Sequence, residues 1–212
     1  DLLSGLVAHD AEALQAAVKA GTRLHDLGPI LNSIGQAVPN MPDMDYLSLG
    51  GSIVNSAHAT GKNFGSMGAY ATALKLATPA GELLECNAQN NPEIFNAVRA
   101  SAGSLGIVTE FTLQNQRPFT LTEVNKIEPL EDMLDDIDNR CKSHRHFELF
   151  AIPYASVGIS VTTDIAKAGD ENEGEDDPQA VNGLRTLFDS LAWIPLVGEA
   201  IYDKALTMIL GS

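Results

Sequence analysis

A run of small and polar residues from position 48 to position 68 holds the groups best suited to binding a ligand. It contains five glycines and a single histidine, His58, and most of its other residues are serine, threonine, alanine or asparagine. Glycine lets another molecule approach the backbone closely, and neighbouring amide N–H groups can bind an anion. The run therefore predicts a set of backbone N–H donors that bind a polar, anionic ligand. The alternative is an ordinary glycine-rich loop.

The spacing of these glycines excludes the two commonest nucleotide-binding motifs. Gly50 and Gly51 are not followed by the glycines of a G-x-G-x-x-G turn, and Gly61-Lys62 is followed by Asn63 instead of Ser or Thr. The chain also contains neither a Gly-x-Ser-x-Gly nor a His-Glu-x-x-His sequence, so hydrolase interpretations have no support.

The composition limits both the domain count and the partners. A chain of 212 residues with 44% hydrophobic residues can form a packed core in one large or two small domains. Its net charge of -15 argues against nucleic acid and against an anionic membrane surface as partners. The acidic block at 169–178 is typical of a solvated loop. A metal site is the alternative, although the block lacks the spacing of a calcium loop. Charges, Pro195 and Gly198 interrupt the apolar region 181–210, so we predict no transmembrane segment.

The cysteines and the paired histidines have mainly structural interpretations. Cys86 and Cys141 do not indicate a disulfide framework, and Cys86 is expected to be a small buried hydrophobe. His144 and His146 are predicted to be surface residues before a strand. A metal site is the alternative for these two histidines, and it needs further ligands nearby.

Several elements are predicted around the run. Residues 13–20 are predicted to form a strand, although alanine and leucine favour a helix. Thr22 is predicted to cap a helix that ends near Gly35 and is kinked or broken at Gly28-Pro29. Its apolar face comprises Leu24, Leu27, Leu31 and Ile34. Residues 38–43 are predicted to form a loop.

Downstream of the run we predict a hairpin, a helix and a strand. Residues 71–78 and 82–86 flank a Pro79-Ala80-Gly81 turn. Asn91 is expected to cap a helix that is closed by Gly103. Its apolar face comprises Ile94, Phe95, Val98 and Ala102. In the following strand, at 106–113, one face is expected to comprise Ile107, Thr109, Phe111 and Leu113.

The composition changes after Pro118, which indicates a second domain. Residues 130–141 predict an acidic amphipathic helix with Met133, Leu134 and Ile137 facing inward. Strands are predicted at 147–151 and 157–163, and the region 181–210 is expected to be mostly helical.

Five pieces of sequence follow one another in the order of a known family. They are residues 50–61, Phe64-Gly-Ser66, the hairpin at 74–86, Phe95-Asn-Ala-Val-Arg99 and residues 103–113. Together they resemble the second half of the FAD-binding domain of the vanillyl-alcohol-oxidase superfamily, the PCMH type. Within it they are most similar to sugar-1,4-lactone oxidases (gulonolactone and arabinonolactone oxidase type) and alditol oxidases.

The resemblance implies a fold and a domain division. The fold class is α+β, with a mixed sheet and flanking helices. Residues 1–117 would form the C-terminal subdomain of the FAD-binding domain, and 118–212 the beginning of a cap or substrate domain with an acidic loop at 169–178.

The resemblance also implies FAD as cofactor and assigns candidate residues to it. Those along the flavin and its pyrophosphate are Ser48, Gly50, Gly51, Asn55, Ser56, Ala57, His58 and Gly61. Ile107 would close on the adenosine half through its main chain. Asp43 would lie near the flavin ring and face the substrate, where alditol oxidases have a small polar residue. Ala59 replaces a glycine of the family's Thr-His-Gly-Thr-Gly motif, so it needs a backbone conformation that alanine can adopt.

Two features of the family are missing from this sequence. One is an N-terminal Arg/Gly/His-rich loop that grips the pyrophosphate and often carries a covalent flavin link, and the other is a Glu-x-Arg pair for catalysis. Phe147-Glu-Leu149 does not supply that pair. The chain therefore resembles a middle fragment, or one piece of a multi-segment protein whose remaining segments would be its partners.

The sequence thus predicts an FAD-dependent oxidoreductase that oxidises an alcohol group of a sugar-1,4-lactone or polyol. Hydride would pass to the flavin, and electrons would then pass to oxygen or another acceptor. One alternative is a non-catalytic flavin-domain fragment that acts as a structural or interaction subunit. Another is a UDP-sugar reductase of the same superfamily.

Overall fold

A computed structural model describes residues 2–151 and 155–167 of the chain. These residues form two compact units, one ending at Phe119 and the other beginning at Thr120. The roles assigned to 1–117 and 118–212 stay predictions. The acidic block at 169–178 and the predicted helical region 181–210 lie outside the described residues.

The first unit is built on a five-stranded sheet with the order β1-β2-β5-β3-β4. Its strands are β1 (Leu6–Asp10), β2 (Gln15–Lys19), β3 (Ala71–Ala77), β4 (Leu83–Asn87) and β5 (Ile107–Gln114). Every pairing in this sheet is antiparallel, where the resemblance implies a mixed sheet. Strand β2 and the β3–β4 hairpin are as predicted. The prediction omitted β1, because four of its five residues are exposed and its burial pattern does not alternate.

Three helices share one buried core with this sheet. They are α1 (Leu24–Ser33), α2 (Leu49–Val54) and α3 (Pro92–Val98), and a short 3-10 helix spans Met67–Tyr70. Four buried core residues on neighbouring strands pair with one another in a row across the sheet, and they are Val18, Phe111, Leu74 and Cys86. Cys86 is buried as predicted, burial raises the pKa of its thiol, and both cysteines are free.

Helix α1 differs from its prediction at its start and at Pro29. Arg23, not Thr22, precedes the helix, because Thr22 is buried and its Oγ1 accepts a hydrogen bond from the Gly5 amide. Pro29 lies inside one continuous helix, so no break occurs there. The predicted end is confirmed, since Gly35 has φ +70 and its amide donates to the Asn32 carbonyl.

A β-bulge corrects the predicted faces of β5. The pairing with β3 jumps from Lys75↔Glu110 to Leu76↔Val108 and so skips Thr109. Beyond the bulge the alternation is shifted by one residue, which buries Val108 and leaves Ile107 67% exposed.

Helix α3 is shorter than predicted and lacks its predicted cap bond. It ends at Val98, and Ala102 is exposed with φ +50. Asn91 stands at the cap position, but its side chain donates to the Glu85 carbonyl oxygen instead.

The second unit contains a three-stranded antiparallel sheet with the order β6-β8-β7. Its elements are β6 (Leu121–Pro129), α4 (Leu130–Asp135), α5 (Ile137–Ser143), β7 (His146–Ala151) and β8 (Val157–Ile165). Strands β7 and β8 are as predicted, whereas the prediction omitted β6, which is exposed along most of its length.

The single helix predicted at 130–141 is wrong. Asp136 has φ -106 and ψ 8 and separates α4 from α5. Met133 is buried as predicted, but the break leaves Leu134 53% and Ile137 39% exposed. His146 is also a correction, because it lies within β7 and is buried, while His144 Nδ1 lies 2.6 Å from the Asp164 carboxylate.

Helices long and apolar enough to span a bilayer are absent from residues 2–151 and 155–167. The same ranges contain no cluster of His, Cys, Asp or Glu side chains that could hold a metal ion.

Candidate functional site

The first half of α2 is fixed by contacts within the protein. Ser48 Oγ accepts a hydrogen bond from the Gly51 amide at 3.2 Å, and the Gly50 amide donates to the Ala20 carbonyl oxygen at 2.7 Å. A Cβ on Gly50 would lie 3.0 Å from the Ala20 Cβ atom. Close packing of α2 on the end of β2 therefore accounts for Gly50 without a ligand. The assignment of Ser48, Gly50 and Gly51 to a cofactor stays a prediction.

An open pocket of about 430 Å³ lies beside the C-terminal end of α2. Its lining residues are Pro42, Asp43, Met44, Leu47, Asn55, Ser56, Ala57 and His58. We call Pro42, Met44 and Leu47 the apolar wall. The residues at 55–58 differ in chemical character from the apolar wall, because they supply a hydroxyl, an amide and an imidazole. The fold thus brings Asp43, the candidate for substrate contact, next to the cofactor candidates at 55–58. Gly61 and Ile107 are not among the lining residues.

Along residues 55–59, the backbone amides without a partner in the described part of the protein begin at His58. The amides of Asn55, Ser56 and Ala57 all donate to carbonyl groups of α2 or its cap, at 2.8 to 3.2 Å. Ser56 has φ +55, which turns the chain away from the helix axis. The amides of His58 and Ala59, in contrast, make no hydrogen bond within the described residues. Among residues 55–59, these two N–H groups are therefore the backbone donors that remain for a ligand.

Residues 57–67 form a closed loop, which we call the glycine loop. The Met67 amide donates to the Ala57 carbonyl oxygen at 2.8 Å and so joins the two ends. Within the loop, Gly61 has φ +103, a conformation that other residues rarely adopt. Ala59 is not among the residues with positive φ, so alanine fits the place where the family has glycine.

Two side chains from outside the loop anchor it. Asn40 is buried, and its Nδ2 donates to the Thr60 carbonyl oxygen at 3.0 Å. Arg99 Nη1 donates to the carbonyl oxygen of Gly68, directly after the loop, at 3.2 Å. Sequence reasoning missed both anchors. Arg99 belongs to one of the family motifs but had no role assigned to it, and Asn40 stands in a loop where no local pattern reveals its distant partner.

Asp43 and His58 are both exposed at the pocket. His58 Nδ1 lies 3.3 Å from the carbonyl oxygen of the adjacent Ala59. Neither side chain has an ion-pair partner among the described residues. Both are therefore accessible to a molecule that enters the pocket.

Ile107 is the first residue of β5 and lies beside the end of β3. Gly106, the preceding residue, has φ +141, and a Cβ there would lie 2.4 Å from the Ala77 carbonyl oxygen. Only glycine allows the backbone to pass this closely. Ile107 then pairs with Ala77 and exposes 67% of its surface. Its contact with the adenosine half of a cofactor stays a prediction.

Residues 1–87 match the family model described as an FAD binding domain. This part of the chain is thus similar to an FAD-binding domain. The resemblance that the sequence motifs carry is thereby confirmed, and FAD is the cofactor that this match supports.

Several curated proteins similar to this chain act on sugar lactones, according to their names. The chain is 35% identical to L-gulonolactone oxidase of Bos taurus over 72% of its own length and 34% of that protein. It is 28% identical to L-gulono-1,4-lactone dehydrogenase of Mycobacterium tuberculosis over 91% of its length and 40% of that protein. The chain thus spans about a third of the length of the first of these relatives.

A solved structure confirms the fold class. The chain aligns with a cholesterol oxidase from Brevibacterium sterolicum at a TM-score of 0.76, covering 99% of this chain and 44% of the other. The sequence identity is 14%, so this likeness concerns the fold alone.

The pocket residues fit a part of FAD. A volume of about 430 Å³ lies within the range of small-molecule pockets, which are roughly 300–1,000 Å³. The apolar wall suits the ring system of a flavin, and the amides of His58 and Ala59 suit its polar edge or a phosphate oxygen. Small side chains at Ser56 and Ala57 leave the backbone accessible.

Proposed function

We propose that this chain is part of an FAD-dependent oxidoreductase that oxidises an alcohol group of a sugar-1,4-lactone or a polyol. The observation that carries the proposal is the 35% identity to a gulonolactone oxidase across 72% of the chain. Within residues 1–87, which match the family model, Asp43 meets His58 and its neighbours at one pocket. When bound, FAD accepts a hydride from the substrate carbon.

The residues of this chain would bind and orient the cofactor. Asn55, Ser56, Ala57 and His58 line the pocket that would take it, and the unengaged His58 amide would donate to it. Gly61 would let the glycine loop turn close to the cofactor, and Ile107 would contact the adenosine half. A site that fixes the cofactor beside the substrate holds the reactants in a productive geometry.

Asp43 is the candidate for contact with the substrate. Its carboxylate is exposed at the same pocket, beside the apolar wall. An ionised carboxylate only accepts hydrogen bonds, so it would select the hydroxyl groups of a sugar lactone or polyol. The sequence holds no Glu-x-Arg pair, so we assign catalysis of proton transfer to the remaining segments of the same protein.

The electron acceptor would be oxygen or another oxidant. One relative is named an oxidase and another a dehydrogenase, so both classes occur among proteins similar to this chain. A non-catalytic structural subunit is the second candidate function. It is favoured by the missing Glu-x-Arg pair.

A spectroscopic titration of the natively purified protein tests the proposal. We expect the absorption bands of oxidised flavin, and anaerobic addition of L-gulono-1,4-lactone or another sugar lactone should bleach them. Glucose 6-phosphate, which is a charged sugar, serves as the control and should leave them unchanged. A protein that takes up FAD but is bleached by neither lactones nor polyols would support the structural subunit. A protein that takes up no FAD would exclude the oxidoreductase and leave the structural subunit.

A further inference from the structure

One buried side chain links the two sides of the pocket. Asn40 precedes Pro42 and the rest of the apolar wall, and its Nδ2 donates to the Thr60 carbonyl oxygen at 3.0 Å. Thr60 lies in the glycine loop, two residues after His58. The loop that carries the apolar wall and the loop that carries the free amides are thus joined by this hydrogen bond.

The bond acts on the interior of the glycine loop, at a distance from the contacts that hold its two ends. The Ala57–Met67 hydrogen bond and the Arg99–Gly68 hydrogen bond hold the ends of the loop. Asn40 acts on its interior, next to the two amides of His58 and Ala59. Glycine-rich backbone loses much conformational entropy when it is ordered, so an anchor at this point reduces the cost of ordering the loop upon binding.

We propose that Asn40 is a positioning residue, which fixes the spacing of the two pocket sides and aligns the His58 and Ala59 amides for the flavin cofactor. This proposal rests on the proposed function. Asn40 acts through Thr60 and does not itself line the pocket. Its buried amide is suited to the task, because a neutral donor satisfies the carbonyl without placing a charge in the interior.

The Asn40→Asp substitution tests the proposal with almost no change of shape. An ionised carboxylate cannot donate, so it would repel the Thr60 carbonyl oxygen. We expect FAD binding of the natively expressed protein, measured by fluorescence titration of the apoprotein, to weaken about tenfold. Hydrogen exchange at the Phe64 and Met67 amides, which are bonded inside the loop, should accelerate in the apoprotein.

Asn90→Asp is the matched control. Asn90 Nδ2 also donates to a backbone carbonyl, that of Glu85 at 2.8 Å, but in a turn that the pocket does not include. This variant should keep the wild-type FAD affinity and the wild-type exchange in the glycine loop. A further readout is the visible circular dichroism of the bound flavin at saturating FAD. It should change in N40D alone, since a loss of global stability would not alter the environment of a fully bound ring.

Lowering the pH gives a test by rescue. A protonated carboxyl at position 40 regains an O–H donor, so the affinity of N40D relative to the wild type should recover towards acidic pH. If N40D does not fold, Asn40→Ser replaces it, because this variant shortens the donor without adding a charge.

The outcomes separate this inference from the proposed function. If the wild type binds FAD and the Asn40 variants match it in affinity, exchange and dichroism, the positioning role is overturned and the proposed function stands. If the wild type binds no FAD, the proposed function and the cofactor role of Asn40 both fall. Faster exchange without any change in affinity or dichroism would also overturn the role, because it would show a purely structural anchor.

Discussion

Arg99 and Gly68 lock the end of α3 to the end of the glycine loop. Arg99 Nη1 donates to the Gly68 carbonyl oxygen at 3.2 Å, and a Cβ on Gly68 would lie 3.2 Å from the Arg99 carbonyl oxygen. The guanidinium carbon also lies 4.5 Å from the centre of the Phe95 ring, and Nη2 donates to the Asn96 side chain. One side chain thus holds the loop from the helix that follows it by more than twenty residues in sequence.

We expect Arg99→Lys to loosen this contact. Lysine keeps the charge but loses the planar fork that reaches Gly68 and Asn96 together, so the free energy of unfolding should fall by about 1–2 kcal/mol. FAD affinity should fall as well, because the loop ends become less ordered. Urea unfolding and an FAD titration measure the two effects. Arg117→Lys is the control, since Arg117 is exposed and makes no hydrogen bond or ion pair with the described residues.

Gly106→Ala should be strongly destabilising. The added Cβ would meet the Ala77 carbonyl oxygen at 2.4 Å in a residue with φ +141, so the backbone must shift. We expect a loss of about 2–4 kcal/mol in the free energy of unfolding, measured by urea denaturation. Gly28→Ala provides the comparison, because Gly28 lies inside α1 with no atom near the new Cβ. There we expect a gain of up to about 1 kcal/mol, and equal effects of the two changes would contradict the steric role of Gly106.

Glu128 should give the second unit a stability that depends on acid pH. Hydrogen bonds from Arg140 and Ser160 lower the pKa of Glu128 to about 2. Both Arg140 nitrogens Nη1 and Nη2 donate to its carboxylate at 2.9 Å. Because the folded state favours the ionised form, this stabilisation is complete above the unfolded pKa, near 4.5, and is lost as the pH falls through about 2.

Unfolding of the wild type and Glu128→Gln across pH 2 to 6 checks this expectation. E128Q should be less stable near neutral pH by about 2–3 kcal/mol, and its stability should fall less steeply in acid. Glu123→Gln on the same strand should keep the wild-type slope, because Glu123 is exposed and bonds only Asn125 among the described side chains. Parallel pH curves for E128Q and the wild type would contradict the prediction.

Cys86 should resist thiol reagents in the folded protein. It is 1% exposed, and burial raises the pKa of its thiol, so little thiolate forms. Cys141 is only partly buried and should be labelled first by a maleimide. Mass spectrometry after a short reaction measures the order, and Cys141→Ala should leave almost no rapid labelling. Rapid labelling of that variant would show that Cys86 becomes accessible in the native state.

Asp43→Asn tests the substrate side of the pocket. If the carboxylate accepts hydrogen bonds from the substrate hydroxyl groups, KM for a sugar lactone should rise about tenfold while FAD affinity stays unchanged. Asp45→Asn is the control, because Asp45 belongs to the same loop but does not line the pocket. An equal rise in KM for both variants would argue for a general effect of loop charge.

The sequence predicted the elements whose local chemistry is strong. The Pro79-Ala80-Gly81 turn and the Gly35 helix end are governed by residues within a few positions, and both were correct. The glycine-rich run and its family motifs also identified FAD before any geometry was considered. These features depend on contacts between neighbours in the chain, which a single sequence reveals.

The errors arose where distant contacts decide the outcome. The burial of Val108 in place of Ile107 depends on a bulge against β3, which the pattern of β5 alone does not show. Thr22 resembles a helix cap, yet its hydroxyl oxygen accepts a hydrogen bond from the Gly5 amide, 17 residues earlier in the chain. At the candidate site, the free amides begin later than predicted, because the Gly50 amide donates to the Ala20 carbonyl oxygen and the Gly51 amide donates to Ser48 Oγ.

The hydrogen bond between Ala57 and Met67 closes the glycine loop at its base. Since its two ends are joined, residues added or removed between them would change the loop without altering α2 before it or β3 after it. Lengthening a closed loop costs little, about 0.6 kcal/mol for each doubling of its length. Variation in the length of this segment is thus a route by which proteins with this fold can reshape the pocket while the sheet beneath it stays constant.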